Sequence, residues 1–96
     1  MGPRLEALLA NRFVIRQIAA RHKASSIAIF GSVARSEDTE NSDYDFLVTF
    51  DLNSSLIDIA ALTNELENFL GSRVDVVSIR GLKPRDHRIR VEAIHL

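Results

Sequence analysis

Residues 30–48 read FGSVARSEDTENSDYDFLV, and this stretch decides the fold. The apolar run from Ser25 to Phe30 predicts a strand that ends at the glycine of the stretch. Ser32 to Glu37 can begin a short helix, and the polar residues 38–42 have the composition of a loop. Residues 43–50, which are rich in aromatic and β-branched side chains, predict a second strand.

Apolar spacing outside this stretch predicts two helical regions. Residues 4–22 have helical spacing, and Asn11 could cap a second helix within them. Residues 56–70 repeat the helical pattern, and Ser55 with Asp58 is placed as a capping pair at their start. Long helices are therefore expected on both sides of the deciding stretch.

The remaining elements complete the chain. Gly71 is a helix stop, the valine-rich residues 73–78 predict a third strand, and Pro84 suits the first turn of a final basic helix. The predicted order is α-β-α-β-α-β-α. This order favours an α/β (α+β) fold in which a small mixed sheet of about three strands packs against helices.

Length and composition limit the classes of function. The 96 residues suffice for one domain, so residues 1–96 are interpreted as a single unit. The 12 Lys and Arg residues against 13 Asp and Glu give a net charge of -1, which argues against holding nucleic acid by bulk electrostatics. The lack of cysteine excludes disulfides, thiol nucleophiles and Cys-zinc sites. No apolar run approaches a membrane span, and Glu6 is unlike a signal peptide, so a cytoplasmic protein without membrane association is expected.

The charge is unevenly distributed along the chain. Residues 1–35 carry six basic residues and one acidic residue, residues 36–72 carry nine acidic residues and no Lys or Arg, and residues 73–96 carry six basic and three acidic residues. The central acidic block is either a set of solvated faces, as charge runs usually are, or a group that gathers cations. The C-terminal cations leave a similar choice between a solvated helix face and an interface with an acidic partner. They include Arg80, Lys83, Arg85, Arg88 and Arg90.

Gly31 and Ser32 form the first candidate site, where a predicted strand gives way to a helix. Glycine lets the backbone approach a ligand without a Cβ in the way. The serine hydroxyl and the free N–H groups of the next turn then suit a phosphate. The same pair also occurs as a plain connection between a strand and a helix.

Three carboxylates form the second candidate site. Asp43 and Asp45 lie at positions i and i+2 of a predicted strand, so they share a face and repel unless a cation lies between them. Asp75 stands alone in a hydrophobic strand. Asp43 could instead be a helix cap or a turn residue, with Asp45 simply exposed, and Asp75 could lie in solvent or pair with Arg73. On adjacent strands, three carboxylates can hold two divalent metals, and oxygen ligands without His or Cys suit Mg²⁺ or Mn²⁺.

The spacing of the two motifs resembles that of a known family. Gly31-Ser32 and Asp43-x-Asp45, separated by ten residues, form the GS-x10-DxD signature of the nucleotidyltransferase (DNA polymerase β-like) superfamily. The residues around both motifs look like those of the minimal nucleotidyltransferases (MNT), the antitoxin partners of HEPN-type toxins. The likeness covers almost the whole chain, including the third aspartate.

The resemblance implies a metal-dependent nucleotidyltransferase that uses ATP. It implies that Asp43, Asp45 and Asp75 ligate two Mg²⁺ (or Mn²⁺) ions, and that Asp75 also helps to deprotonate the attacking hydroxyl. It further implies that Gly31 and Ser32 bind the β- and γ-phosphates of the nucleoside triphosphate. Catalysis would then rest on positioning and charge neutralisation.

Arg35 and Ser36 complete the nucleotide motif. Arg35 matches the family and could neutralise phosphate charge, or it could form a structural ion pair with Glu37 or Asp38. The family commonly has glycine where this chain has Ser36, so a positive φ at that position would strain the loop.

The resemblance also implies a partner. The chain is too short to hold a large second substrate, so another molecule must present the acceptor hydroxyl. In the family that partner is a HEPN toxin, and the expected activity is transfer of AMP from ATP to its hydroxyl, a tyrosine in some members. The expected assembly is a hetero-oligomer without direct contact to nucleic acid. The alternative is a binding-only antitoxin that blocks the toxin by occlusion and keeps an idle site.

Overall fold

The computed structural model describes all 96 residues as five α-helices and four strands. They are α1 (Pro3–Ala10), α2 (Arg12–Arg21), β1 (Ala24–Phe30), α3 (Gly31–Ala34), β2 (Tyr44–Phe50), α4 (Leu56–Leu70), β3 (Val74–Ser78), α5 (His87–Glu92) and β4 (Ile94–His95). Two 3-10 turns, Ile79–Gly81 and Pro84–Asp86, lie between β3 and α5. No helix combines the length and the apolar character needed to cross a bilayer. The predicted α/β class is confirmed.

The four strands form one mixed sheet in the order β3-β2-β1-β4. Strand β1 runs antiparallel to both β2 and β4, whereas β2 and β3 run parallel and are joined by α4. A parallel pair needs such a crossover because the chain must return to the same end of the sheet. The sequence predicted three strands and missed β4. That strand has two residues, which pair with Ala28 and Ile29, and two residues carry no periodicity.

Sequence signals fix the ends of the long helices. Asn11 separates α1 from α2, and its side-chain amide donates to the carbonyl of Ala7 at 2.8 Å. At the start of α4, the Ser55 N–H donates to the Asp58 carboxylate at 2.8 Å. Gly71 ends this helix in the left-handed conformation, with a φ of 68°. The break, the capping pair and the helix stop predicted from the sequence are therefore present.

The two faces of the sheet are covered unequally. One face packs with α1, α2 and α4 in a core that contains 16 buried residues. The opposite face is covered by residues 79–93, whose apolar side chains pack on a small buried cluster of Ala28, Phe30 and Leu47. Because side chains alternate along a strand, Asp45 and Asp75 share this second, more thinly covered face.

The covering segment, residues 79–93, keeps its cations on the outside. Five basic residues of the segment are exposed and form no ion pair within the protein: Arg80, Lys83, Arg85, Arg88 and Arg90. Its two acidic residues are instead held by the protein. The Asp86 carboxylate accepts a hydrogen bond from the Lys83 N–H at 2.9 Å, and Glu92 accepts one from Gly31. The cations form a solvated face, and an acidic partner for them stays a prediction.

Candidate functional site

Asp45 and Asp75 lie side by side on the parallel strand pair. They are register partners on β2 and β3. Asp45 is half-buried, whereas Asp75 is exposed. The structure thus brings together, on neighbouring strands and on one face, two of the three carboxylates that the sequence singled out.

Gly31 approaches the same carboxylate from the other side. Phe30, the last residue of β1, pairs with Asp45 across the antiparallel ladder, and Gly31 follows with a φ of 74°. A Cβ on Gly31 would overlap the Asp45 carboxylate oxygen Oδ2 and lie 3.2 Å from Cγ. Glycine fits both the left-handed backbone and the contact because it has no side chain.

Burial and like charges raise the pKa of Asp45. Its partial burial disfavours the charged carboxylate most, and the neighbouring charges of Asp75 and Asp43 add repulsion that Arg35 partly offsets. A cation bound near these side chains would relieve both effects. The chemistry of the donor set therefore fits a hard divalent ion, since it contains oxygen ligands alone.

Asp43 lies just before β2 rather than within it, so the predicted strand over residues 43–50 was one residue too long. Its carboxylate is half exposed and lies 4.0 Å from the Nε of Arg73. No three His, Asp or Glu side chains are grouped so that they could hold a metal ion as they stand. The charges of Asp75 and Asp43 both act on Asp45, so the three aspartates are neighbours in the fold.

Two cavities differ in their relation to these residues. A polar cavity of 450 Å³ borders one of the aspartates and is lined by Glu40, Asn41, Ser42, Asp43, Ser72 and Arg73. A larger cavity of 540 Å³ lies between α2 and β1, and none of the predicted site residues lines it. The candidate site is therefore identified by its clustered carboxylates and by the contact between Gly31 and Asp45. The larger cavity lies elsewhere, so cavity size does not identify the site.

Arg4 of α1 holds the loop that leads to the aspartates. Its guanidinium donates to the carbonyl of Ser42 at 2.7 Å and to that of Glu40 at 3.1 Å. It also lies 3.7 Å from the Asp38 carboxylate and 5.1 Å from the centre of the Tyr44 ring. One cation thus fixes both the loop and the start of β2.

Arg35 reaches two carboxylates. Its Nε donates to Glu37 at 2.9 Å, and its Nη1 donates to both oxygens of Glu92, at 2.9 and 3.1 Å. The hydrogen bond to Glu37 and then that to Glu92 raise the pKa of Arg35. The structural ion pair with Glu37 that the sequence left open is present, whereas Asp38 pairs with Arg4 instead.

Glu92 is a residue that sequence reasoning missed. Besides binding Arg35, it accepts a hydrogen bond from the Gly31 N–H at 3.0 Å, so it contacts two residues of the predicted nucleotide motif. A signal was available, because Glu92 is the sole acidic residue between His87 and the C-terminal Leu96. The contacts of Glu92 could not be inferred from this signal, because they depend on β4, which places the end of α5 beside the Gly31 turn.

Ser32 lies in the first turn of α3, and Ser36 lies just after that helix. Ser32 is half-buried, and its hydroxyl has no hydrogen-bond partner in the protein, so it is free for a ligand. Ser36 has a φ of 57°, which is the left-handed conformation that its glycine counterpart in the family adopts easily. Its hydroxyl accepts a hydrogen bond from the Gly2 N–H at 2.9 Å. The positive φ under which the sequence analysis expected a strained loop is therefore present, and the strain itself stays a prediction.

Comparison with known proteins gives the class to which this fold and site belong. Residues 14–94 match the family described as "Polymerase beta, Nucleotidyltransferase". A protein of Methanocaldococcus jannaschii that is provisionally named a protein adenylyltransferase is 43% identical over 67 residues, which cover 70% of this chain and 72% of that protein. The chain belongs to the polymerase beta nucleotidyltransferase family, and its enzyme class is that of the nucleotidyltransferases.

Solved structures agree with this assignment. A protein provisionally described as a minimal nucleotidyltransferase is 47% identical with a TM-score of 0.86, and the match covers 100% of this chain and 97% of that one. A crystal structure described as a toxin-antitoxin with AMP-PNP matches at 25% identity and a TM-score of 0.74, over 88% of this chain and 71% of that one. The resemblance to minimal nucleotidyltransferases inferred from the two motifs is confirmed.

Proposed function

We propose that this nucleotidyltransferase is an antitoxin that transfers AMP from ATP to a hydroxyl group of a HEPN-type toxin. One observation carries the proposal: Asp45 and Asp75 are register partners, and Gly31 packs on the Asp45 carboxylate in a conformation that excludes a Cβ. A phosphate-binding turn and a pair of carboxylates therefore meet at one place. Nucleotidyl transfer requires that combination of groups.

Asp43, Asp45 and Asp75 would hold Mg²⁺ or Mn²⁺, with two ions as the family resemblance implies. When bound, such ions neutralise the negative charge that develops on the phosphate oxygens. The raised pKa of Asp45 supports this role, because its causes after burial are the charges of Asp75 and Asp43. Metal binding would remove that repulsion.

The reaction follows from the chemistry of a nucleoside triphosphate. The acceptor hydroxyl attacks the α-phosphorus, the bond from that phosphorus to the bridging oxygen of the β-phosphate breaks, and pyrophosphate leaves with the electron pair. Asp75 is the proposed acceptor of the hydroxyl proton, since it is the more exposed carboxylate of the register pair. Gly31, Ser32 and Arg35 are the proposed contacts of the β- and γ-phosphates.

The names of the relatives support a protein substrate and a toxin partner. One relative is named as an adenylyltransferase that acts on protein, and a structural neighbour is described as a toxin-antitoxin with an ATP analogue. We extend both descriptions to this chain as the proposed substrate class, and we take the acceptor to be a tyrosine hydroxyl. The exposed cations of residues 79–93 are available to an acidic partner surface.

The test uses a complex obtained by co-expressing this protein with a HEPN-type toxin. The wild-type complex and the Asp43→Asn/Asp45→Asn complex are incubated with ATP and Mg²⁺, and the HEPN chain is digested and mapped by mass spectrometry. AMP on a tyrosine in the wild-type complex, absent from the double variant, supports the proposal. An unmodified HEPN chain from a folded complex, together with full toxin neutralisation by the double variant, would leave the binding-only antitoxin as the correct reading.

A further inference from the structure

Glu92 ties the C-terminal helix to the residues proposed to contact the triphosphate. Its Oε1 accepts hydrogen bonds from the Gly31 N–H at 3.0 Å and from Arg35 Nη1 at 3.1 Å, and its Oε2 accepts from the same Nη1 at 2.9 Å. One side chain therefore binds both the backbone and the side-chain cation of the loop. We propose that Glu92 is a positioning residue that holds Gly31 and Arg35 in the geometry that the ATP triphosphate requires, an inference that rests on the proposed function.

The first part of this role concerns the Gly31 backbone. A glycine with a positive φ is free to leave that conformation, because it has no side chain to restrict it. Gly31 is held between two carboxylates: Asp45 packs on its Cα side, and Glu92 accepts its N–H. Because the Gly31 N–H already donates to Glu92, it is not the donor to a phosphate. The proposed part of Gly31 is to let the backbone lie close to the nucleotide, and the free Ser32 hydroxyl is the proposed donor to a phosphate.

The second part concerns the direction of the Arg35 guanidinium. Arg35 Nε donates to Glu37 and Nη1 donates to Glu92, so Nη2 is the one guanidinium nitrogen without a partner in the protein. The guanidinium is planar, so two occupied nitrogens fix the direction in which the third one donates. Glu92 is the better anchor of the two, since its side chain is 20% exposed and that of Glu37 is 67% exposed.

The opposite role for Glu92 would be that of a competitor that takes the place of a phosphate and must leave. The two roles predict opposite changes in triphosphate affinity when Glu92 is removed. Removing a competitor and its negative charge strengthens triphosphate binding, whereas removing a positioning group weakens it. The free Nη2 of Arg35 and the free Ser32 hydroxyl favour the positioning role, because donors for the phosphates remain while Glu92 stays bound.

The experiment measures binding of a non-hydrolysable ATP analogue and of AMP by calorimetry. The variants are Glu92→Ala, Glu92→Gln and the matched control Glu6→Gln, which removes an equal charge from an exposed side chain that contacts neither Arg35 nor Gly31. We expect Glu92→Ala to bind the ATP analogue about tenfold more weakly, the scale of one charge-assisted hydrogen bond, with AMP affinity unchanged because AMP lacks the β- and γ-phosphates. Glu92→Gln, which keeps one acceptor, should have an affinity between those of the wild type and Glu92→Ala, and Glu6→Gln should stay within about twofold of the wild type.

A second readout needs no nucleotide. Hydrogen exchange of the Gly31 amide, followed by NMR, should quicken in Glu92→Ala and stay unchanged in Glu6→Gln. Tighter binding of the ATP analogue by Glu92→Ala, equal losses for ATP analogue and AMP, or unchanged Gly31 exchange would each overturn the inference. If the wild-type protein itself does not prefer the ATP analogue to AMP, the proposed function fails as well. If the wild type and Glu92→Ala share the same preference, the inference alone fails.

Discussion

Asp45 and Asp75 are register partners on parallel strands, and both lie on the sheet face that residues 79–93 cover thinly. The pKa of Asp45 is raised, first by its burial and next by the charge of Asp75. The fold therefore holds a carboxylate where its charged form is disfavoured. Such a destabilising arrangement is typical of a functional site, because selection for stability alone would replace the carboxylate.

Asp45→Asn should stabilise the protein in the absence of metal. Because the folded-state pKa lies above the ordinary value of 3.8, the native state keeps, at a pH between these two values, a proton that the unfolded state has lost. The contribution of Asp45 to stability is therefore greatest below 3.8 and is lost as the pH rises through the folded-state pKa. We expect the variant to exceed the wild type by at most about 1 kcal/mol at neutral pH, since much of the group is in contact with solvent.

Urea unfolding at neutral pH and at the lowest pH where the protein stays folded checks this expectation. The advantage of Asp45→Asn should shrink at the acidic pH. Asp51→Asn is the control, because Asp51 is exposed and its side chain forms no ion pair. An equal gain in both variants would show a general charge effect rather than a strained carboxylate pair.

Mg²⁺ should reverse the order of stability of the wild type and Asp45→Asn. A metal at about 100 times its Kd adds about 2.7 kcal/mol to the stability of the protein that binds it. We therefore expect Mg²⁺ to raise the melting temperature of the wild type and of Asp51→Asn, but not that of Asp45→Asn. Equal thermal shifts in all three proteins would place the metal away from the aspartates.

Gly31→Ala should be more damaging than Gly71→Ala. Both glycines have a positive φ, 74° and 68°, so alanine costs about 1 to 2 kcal/mol at either position. A Cβ at Gly71 meets nothing within 4 Å, whereas a Cβ at Gly31 overlaps Asp45. We expect about 1 kcal/mol more loss of stability at Gly31, measured by urea unfolding, together with loss of transfer activity. Equal costs would mean that the Gly31 contact is not tight in solution.

Ser36→Gly should be more stable than Ser36→Ala. Both variants lose the hydroxyl that accepts the hydrogen bond from the Gly2 N–H, so their difference isolates the backbone. Glycine adopts a φ of 57° without the cost that alanine bears, and we expect about 1 kcal/mol in favour of glycine by thermal or urea unfolding. A difference near zero would indicate that this loop is not held in the left-handed conformation.

Much of the fold could be predicted because its long elements have clear periods. The α4 helix has the bounds that apolar spacing and the capping pair predict, and Asn11 divides α1 from α2. The strand β4 could not be predicted, since its two residues exist as a strand through pairing with β1. Tertiary contact defines that element, and local sequence does not.

The sequence could predict the parts of the candidate site that lie on strands with a clear residue pattern. The i and i+2 spacing predicted that Asp43 and Asp45 share a strand face, but Asp43 lies just before β2. The valine-rich strand places Asp75 beside Asp45. Glu92 lies 61 residues from Gly31, and no local pattern joins the two. The same holds for Arg4, whose role depends on a loop that lies far from it in sequence.

Transfer of label from ATP tests the central claim most directly. A complex of this protein with a HEPN-type toxin, the proposed partner, is incubated with Mg²⁺ and with ATP labelled either at the α-phosphate or at the γ-phosphate. Adenylyl transfer predicts α-label on the HEPN chain and γ-label in free pyrophosphate, with neither change in Asp43→Asn/Asp45→Asn. Appearance of the γ-label on the HEPN chain, or of neither label with a folded complex, would contradict an adenylyltransferase built on these aspartates.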